Sequence, residues 1–91
     1  MFFVVSYDIP DDRRRTKVCK LLKNFGWHVQ YSVFECDLKL KEYQQLRKRL
    51  KALINKKEDD VRFYFLCKDC LPKTVVIGPR KGKPIEGFYI V

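Results

Sequence analysis

The chain has 91 residues, of which 46% are hydrophobic, so we expect a single folded domain (1–91) and not a disordered segment. Twenty Lys and Arg residues against eleven Asp and Glu residues give a net charge of +9, which favours a polyanionic partner, nucleic acid first. No stretch approaches the ~20 apolar residues that span a bilayer, and the start lacks the features of a signal peptide. We therefore expect a cytoplasmic protein without membrane contact.

The first predicted strand, FFVVSYD (2–8), is aromatic and β-branched but ends in a charged residue, Asp8. Ile9–Pro10 stops the strand, and Asp11 and Asp12 supply N-cap chemistry for a following helix. The apolar stripe of that helix is formed by Val18, Leu21, Leu22 and Phe25. Gly26 is predicted to end the helix.

Residues 28–38 read as extended chain, either two strands bent near Ser32 or one bulged strand. A second amphipathic helix follows, and its apolar face is formed by Leu40, Tyr43, Leu46, Leu50, Leu53 and Ile54. Further strands are predicted at 61–67, 74–78 and 85–91. This order predicts an α+β fold, a ferredoxin-like βαββαβ sandwich with extra C-terminal strands, whose antiparallel sheet carries both helices on one face.

A carboxylate next to a sheet core needs a partner, because desolvating it costs several kcal/mol. For Asp8 the residues leave three alternatives: an ion pair with Arg14, the cap of the following helix, or a divalent metal ligand. Magnesium takes one or two carboxylates together with waters and phosphate oxygens. In a two-fold dimer, two copies of Asp8 could lie near one axis and share such an ion.

A ferredoxin-like sheet leaves one face uncovered by its own helices, and large apolar patches are rare on monomers. We therefore expect a homodimer that covers this face. The basic loop and terminal strand at 79–91 are predicted to contribute to it by adding to a sheet edge of the neighbouring subunit.

Basic side chains are predicted on the outer faces of both helices and in the loop 78–84, where they would make salt-sensitive contacts with phosphates. They are Arg13, Lys20 and Lys23 on the first helix, Lys41, Lys48, Arg49 and Lys56 on the second, and Arg80, Lys81 and Lys83 in the loop.

Of the four cysteines, Cys67 and Cys70 form CKDC, the spacing of half a zinc site or of a redox pair. No second CxxC exists, and the lone His28 has no partner at ligand spacing. Cys19 and Cys36 are predicted to be small buried side chains.

The run YDIPDDRRRTKVCKLLKNFGWHVQYSVFE (7–35), together with VRFYFL and VVIG, resembles the CRISPR-associated Cas-two family. The resemblance implies a ferredoxin-like homodimer that takes part in spacer acquisition for antiviral defence. It also implies magnesium-dependent cleavage of phosphodiester bonds, in RNA or in double-stranded DNA, and partnership with dimers of the Cas-one integrase. As an alternative function, the dimer is a non-catalytic DNA-binding adaptor between those integrase dimers.

Carried over by residue, the resemblance implies that Asp8 binds the metal and that Tyr7, Arg15 and Phe34 lie near it. Lys17 and His28 stand where some members have arginine, so we expect weak nuclease activity. The nucleic-acid-binding residues expected from charge and resemblance are Arg13, Arg14, Lys17, Lys20, His28, Arg80 and Lys81. Arg14 and Arg15 could clamp phosphate oxygens, and His28 and Glu35 are the candidate general bases. A third function, RNA binding by base stacking on Phe63 and Phe65, lacks the RNP sequence.

Overall fold

The structure is a computed structural model that describes residues 1–79 and the backbone of residues 89–90. Arg80, Lys81 and Lys83 therefore lie outside the described residues. In chain order the elements are β1 (Phe2–Asp8), α1 (Asp12–Lys23), β2 (Trp27–Gln30), β3 (Val33–Asp37), α2 (Leu40–Leu53), β4 (Asp60–Leu66), a short 3-10 helix (Leu71–Lys73), β5 (Val75–Val76) and β6 (Tyr89–Ile90).

Strands β1 to β4 form one antiparallel sheet with the order β2-β3-β1-β4, so β1 is central and β4 is an edge strand. This is the order of a ferredoxin-like βαββαβ sandwich, and the predicted α+β class is confirmed. The extended run after α1 is two strands, as one of the two alternatives had it, with a turn at Tyr31–Ser32 and a bulge between His28 and Gln30.

Both helices pack on the same face of the sheet. Alternation along β1 places Phe3, Val5 and Tyr7 on that face, where they meet the buried side chains Val18 and Leu22 of α1 and Leu46 and Leu50 of α2. Phe63 and Phe65 of β4 point to the same side and contact the ring of Phe3. Both rings therefore lie on the helix side of the sheet, although Phe65 is 53% exposed, and this side argues against a base-stacking platform on the open face.

Two details of the helices differ from the sequence prediction. Leu40 begins α2 but is 57% exposed, because the helical rotation of about 100° per residue turns it away from the face centred on Leu46 and Leu50. Helix α1 ends at Lys23 with Asn24 as its C-cap, before Gly26. Gly26 is required for another reason: a Cβ there would overlap the Glu35 carbonyl oxygen of β3.

The C-terminal strand β6 pairs in parallel with β5 of the same chain, with Val75 opposite Tyr89. The predicted strands at 74–78 and 85–91 thus correspond to shorter described strands, and the predicted exchange between subunits stays a prediction. Neither helix of the described part of the chain is long and apolar enough to cross a membrane.

Candidate functional site at the end of the central strand

Asp8 is the last residue of β1, and its carboxylate is exposed. The alternation that directs Tyr7 into the core directs Asp8 to the helix-free face of the sheet. Within the described residues, its side chain makes no hydrogen bond or ion pair. The Asp8 carboxylate oxygens, at the end of the central strand, are thus in a position to bind an external ligand.

Asp60 is the residue that sequence reasoning missed. It begins β4 and stands directly opposite Asp8 in the antiparallel register, so both carboxylates lie at the same end of neighbouring strands. Residues opposed in this way have Cβ atoms about 4.5–5.5 Å apart. One Asp60 oxygen accepts a hydrogen bond from Arg62 Nε at 3.1 Å, and the carboxylate remains 53% exposed. Each chain therefore supplies two neighbouring carboxylates, where the sequence had indicated one.

The predicted ion pair between Asp8 and Arg14 is wrong, because the Arg14 guanidinium contacts the segment between α2 and β4 instead. Its Nε and Nη2 donate to the two carboxylate oxygens of Asp59 at 2.8 and 3.1 Å, and Nη2 also donates to Glu58 at 2.8 Å. These hydrogen bonds lower the pKa of Asp59, whose side chain has no exposed surface, and raise the pKa of Arg14. Arg14 thus stabilises the contact between α1 and the segment before β4, and its expected phosphate contact stays a prediction.

Asp8 does not cap the helix either, because Asp11 fills that position. The Asp11 carboxylate accepts a hydrogen bond from the backbone N–H of Arg14 at 2.9 Å, and this bond lowers its pKa. Arg15, on the first turn of α1, donates to the carbonyl of Ile9 at 3.1 Å and also contacts Asp12. Since Ile9 follows Asp8 directly, Arg15 holds the backbone at the candidate site.

Tyr7 and Phe34 lie in the core and not beside Asp8. Both are buried, Phe34 completely, and their rings stack with centroids 6.4 Å apart. Burial and the neighbouring Cys19 raise the pKa of the Tyr7 phenol, so it stays protonated at physiological pH and cannot act as a base. Neither ring reaches the helix-free face, so the structure shows packing for both, and the position near the metal that the resemblance implies for them stays a prediction.

The two candidate general bases also lie away from Asp8. His28 stacks on Phe34 on the helix side, with ring centroids 4.5 Å apart, and its Nε2 donates to the Tyr31 carbonyl at 2.7 Å. Glu35 stands opposite Val4, four residues before Asp8 on β1, which is about 13 Å along the strand. Within one chain, neither side chain is placed to act on a group bound at Asp8.

The exposed side of α1 carries the basic residues that charge alone had predicted. Arg13, Lys17 and Lys20 line one shallow groove of about 420 Å³ together with Thr16. A second groove of about 450 Å³ runs beside it toward the β2–β3 turn, lined by residues including Arg15, Lys20, Lys23 and Tyr31. Tyr31 is 93% exposed at that turn, a residue that sequence reasoning also left unassigned. An exposed aromatic ring beside cationic side chains suits a single-stranded nucleic acid.

Comparison with known proteins agrees with this geometry. The family described as "CRISPR associated protein Cas2", the same Cas-two family that the sequence resembles, matches residues 1–74. The chain belongs to the Cas2 family. A relative from Chloroflexus aurantiacus, named CRISPR-associated endoribonuclease Cas2 1, is 49% identical over the full length of both chains. One from Thermus thermophilus, named CRISPR-associated endoribonuclease Cas2, is 44% identical over 94% of this chain and 92% of its own.

Solved structures of Cas2 proteins have the same fold. Streptococcus pyogenes Cas2 superposes with a TM-score of 0.75 at 34% identity, covering 86% of this chain and all of that one. A Cas2-containing assembly described as a partial Cas6-RT-Cas1--Cas2 complex gives a TM-score of 0.68 at 35% identity, covering 75% of each chain. These structures confirm the α+β fold of the chain.

Proposed function

We propose that this Cas2-family chain is a metal-dependent endonuclease that cleaves phosphodiester bonds, with RNA as its first substrate. The observation that carries the proposal is the pair of exposed carboxylates, Asp8 and Asp60, on neighbouring strands at one end of the sheet. The choice of RNA rests on the names of the relatives, several of which are called endoribonucleases.

The two carboxylates fit magnesium as a pair of oxygen ligands. Magnesium prefers one or two carboxylates and completes its shell with waters and substrate phosphate oxygens. No cluster of three or more potential ligand residues occurs within the described part of the chain, so this donor set suits a loosely held hydrated ion and not a closed cage. When bound, magnesium would neutralise charge on the scissile phosphate and make a bound water more acidic.

The chain's own residues would bind and orient the substrate around that position. Arg15 fixes the Ile9 carbonyl and so holds the backbone that presents Asp8. Lys20 and Lys23 contact phosphates in the groove beside α1, and Tyr31 stacks on a base. These contacts favour a flexible single strand, because unpaired bases can reach an exposed ring.

We also propose that the functional unit is a homodimer that covers the helix-free face. This face carries partly exposed aromatic rings, with Tyr64 52% and Trp27 41% exposed. Covering them would remove apolar surface from water and could bring the Asp8 carboxylates of both subunits toward one axis. A size measurement that gives a monomer at micromolar concentration would contradict this part of the proposal.

The test is cleavage of a labelled single-stranded RNA with magnesium or with EDTA. Wild type should cleave only with metal, Asp8→Asn should abolish cleavage, and Asp60→Asn should reduce it. Asp69→Asn is the matched control, because it removes an exposed carboxylate beyond the opposite end of β4. Equal cleavage by wild type and Asp8→Asn would overturn the assignment, and preference for duplex DNA would change the substrate but not the site.

The second candidate function is a non-catalytic adaptor that binds DNA and a Cas1 partner. It is favoured by the structural similarity to a chain of a Cas1–Cas2 assembly and by the basic exposed side of α1. Spacer integration reconstituted with Cas1 separates the two functions. If Asp8→Asn supports integration as well as wild type while neither protein cleaves RNA, the adaptor function stands alone.

A further inference from the structure

Cys67 and Cys70 lie directly after β4, in a turn that leads into the short 3-10 helix. Both are exposed free thiols. The turn is closed by hydrogen bonds from the Cys70 and Leu71 backbone N–H groups to the Cys67 carbonyl, at 3.1 and 3.0 Å. The ends of such a four-residue turn lie within about 7 Å of each other, which overlaps the Cα separation of about 4.4–6.8 Å that a disulfide requires.

The two thiols are unequal. The turn brings the Cys70 thiol and the backbone N–H groups of Cys70 and Asp69 near the Cys67 sulfur. These donors lower the pKa of Cys67, whereas the same thiol contact raises the pKa of Cys70. By contrast, burial raises the pKa of Cys36 to about 12, which leaves that thiol inert.

A metal site explains this pair less well. Structural zinc takes four ligands, and the described residues offer no third Cys, His, Asp or Glu that would complete a cluster around these thiols. A thiol with a lowered pKa and a second exposed thiol in the same tight turn instead match the requirements of thiol–disulfide exchange.

We propose that Cys67 and Cys70 are a redox-active dithiol that closes reversibly to a disulfide, with Cys67 as the attacking thiolate and Cys70 as the resolving thiol. The oxidant is a small-molecule disulfide. Cys67 attacks one of its sulfurs, which forms a mixed disulfide and releases one thiolate. Cys70 loses its proton to solvent and attacks the Cys67 sulfur, which forms the internal disulfide and releases the second thiolate. The two protein sulfurs lose two electrons, and the oxidant gains them as two thiols.

The experiment treats the full chain with oxidised glutathione, quenches with acid, blocks remaining thiols and measures intact mass and peptide masses. Wild type should lose two hydrogen atoms and give a peptide in which Cys67 is linked to Cys70. Cys70→Ser should stop at a stable glutathione adduct on Cys67, and Cys67→Ser should form its adduct severalfold more slowly. Cys19→Ser is the control and should form the internal disulfide at the wild-type rate.

Three results would overturn the proposal. Wild type could accumulate only glutathione adducts, or the two single variants could react at equal rates. The reduced chain could also bind zinc stoichiometrically and resist oxidation until a chelator is added, which would make the pair a metal site. All of these readouts are independent of nuclease activity, so failure here and failure of the proposed function are distinguishable.

Discussion

Replacing Asp8 with Asn should stabilise the protein without metal and remove its response to magnesium. Asp8 and Asp60 stand opposite each other and are both exposed. Opposed residues have Cβ atoms about 4.5–5.5 Å apart, and two unit charges about 5.5 Å apart in a water-like dielectric repel each other by about 0.8 kcal/mol at low salt. Screening at 0.15 M ionic strength roughly halves this energy. Asp8→Asn should therefore raise Tm by about 3–6 °C at low salt, and by about half as much at 0.15 M.

Magnesium should raise the Tm of wild type relative to that of Asp8→Asn, which is opposite to the difference expected without metal. An ion that binds only the folded state at a hundredfold excess over its Kd adds about 2.7 kcal/mol of stability. Thermal unfolding at fixed protein concentration, with EDTA or with increasing magnesium, should show a rising Tm for wild type. Asp8→Asn should show little change, and Asp60→Asn should respond less than wild type.

Two outcomes would refute this reasoning. If Asp8→Asn lowers stability in EDTA, the carboxylate has a stabilising partner in the folded protein. If magnesium raises the Tm of Asp8→Asn as much as that of wild type, the ion binds elsewhere. Asp69→Asn should match wild type in both series.

The remaining predictions concern packing, acid stability and nucleic-acid affinity. Gly26→Ala should lower the free energy of unfolding in urea by about 1–3 kcal/mol, because its Cβ would overlap the Glu35 carbonyl oxygen. The pKa of Asp59 is lowered from 3.8 by Arg14, so its stabilisation is complete above pH 3.8 and is lost as pH falls through the folded-state value. Asp59→Asn, compared in EDTA, should therefore lose less stability on acidification than wild type. Lys17→Ala should weaken binding equally for unrelated sequences and reduce the salt slope by about 1.

The fold was predictable because its elements have local signals. The run of β1, the stripe of α1 and the alternation after Gly26 are each contained in a short window, and their order limits the topology to few choices. Asp59 and Asp60 lie in the polar stretch between the second predicted helix and the strand predicted at 61–67. The sequence gives no means of telling these two carboxylates apart. In the structure Asp59 is buried against Arg14, whereas Asp60 is exposed opposite Asp8.

Half of the candidate site could not be predicted because it depends on pairing between distant segments. Helical spacing placed Arg14 correctly at the end of the sheet, but the choice between Asp8 and Asp59 depends on the register of β1 against β4. The buried position of Phe34 could not be predicted for a related reason, since the alternation within a strand decides which face a side chain reaches. A ferredoxin-like sheet makes β1 and β4 neighbours, but only their register places Asp60 opposite Asp8.

The bidentate contact of Arg14 with Asp59 joins the start of α1 to the residue immediately before Asp60. Asp8 lies shortly before the same helix. The Arg14 guanidinium therefore joins the chain that follows Asp8 to the chain that precedes Asp60. The two acids are held opposite each other by the pairing of β1 with β4, and Arg14 adds a second link between the same chain segments without touching either acid. A substitution of Arg14 would therefore remove that link while both carboxylates remained in the sequence.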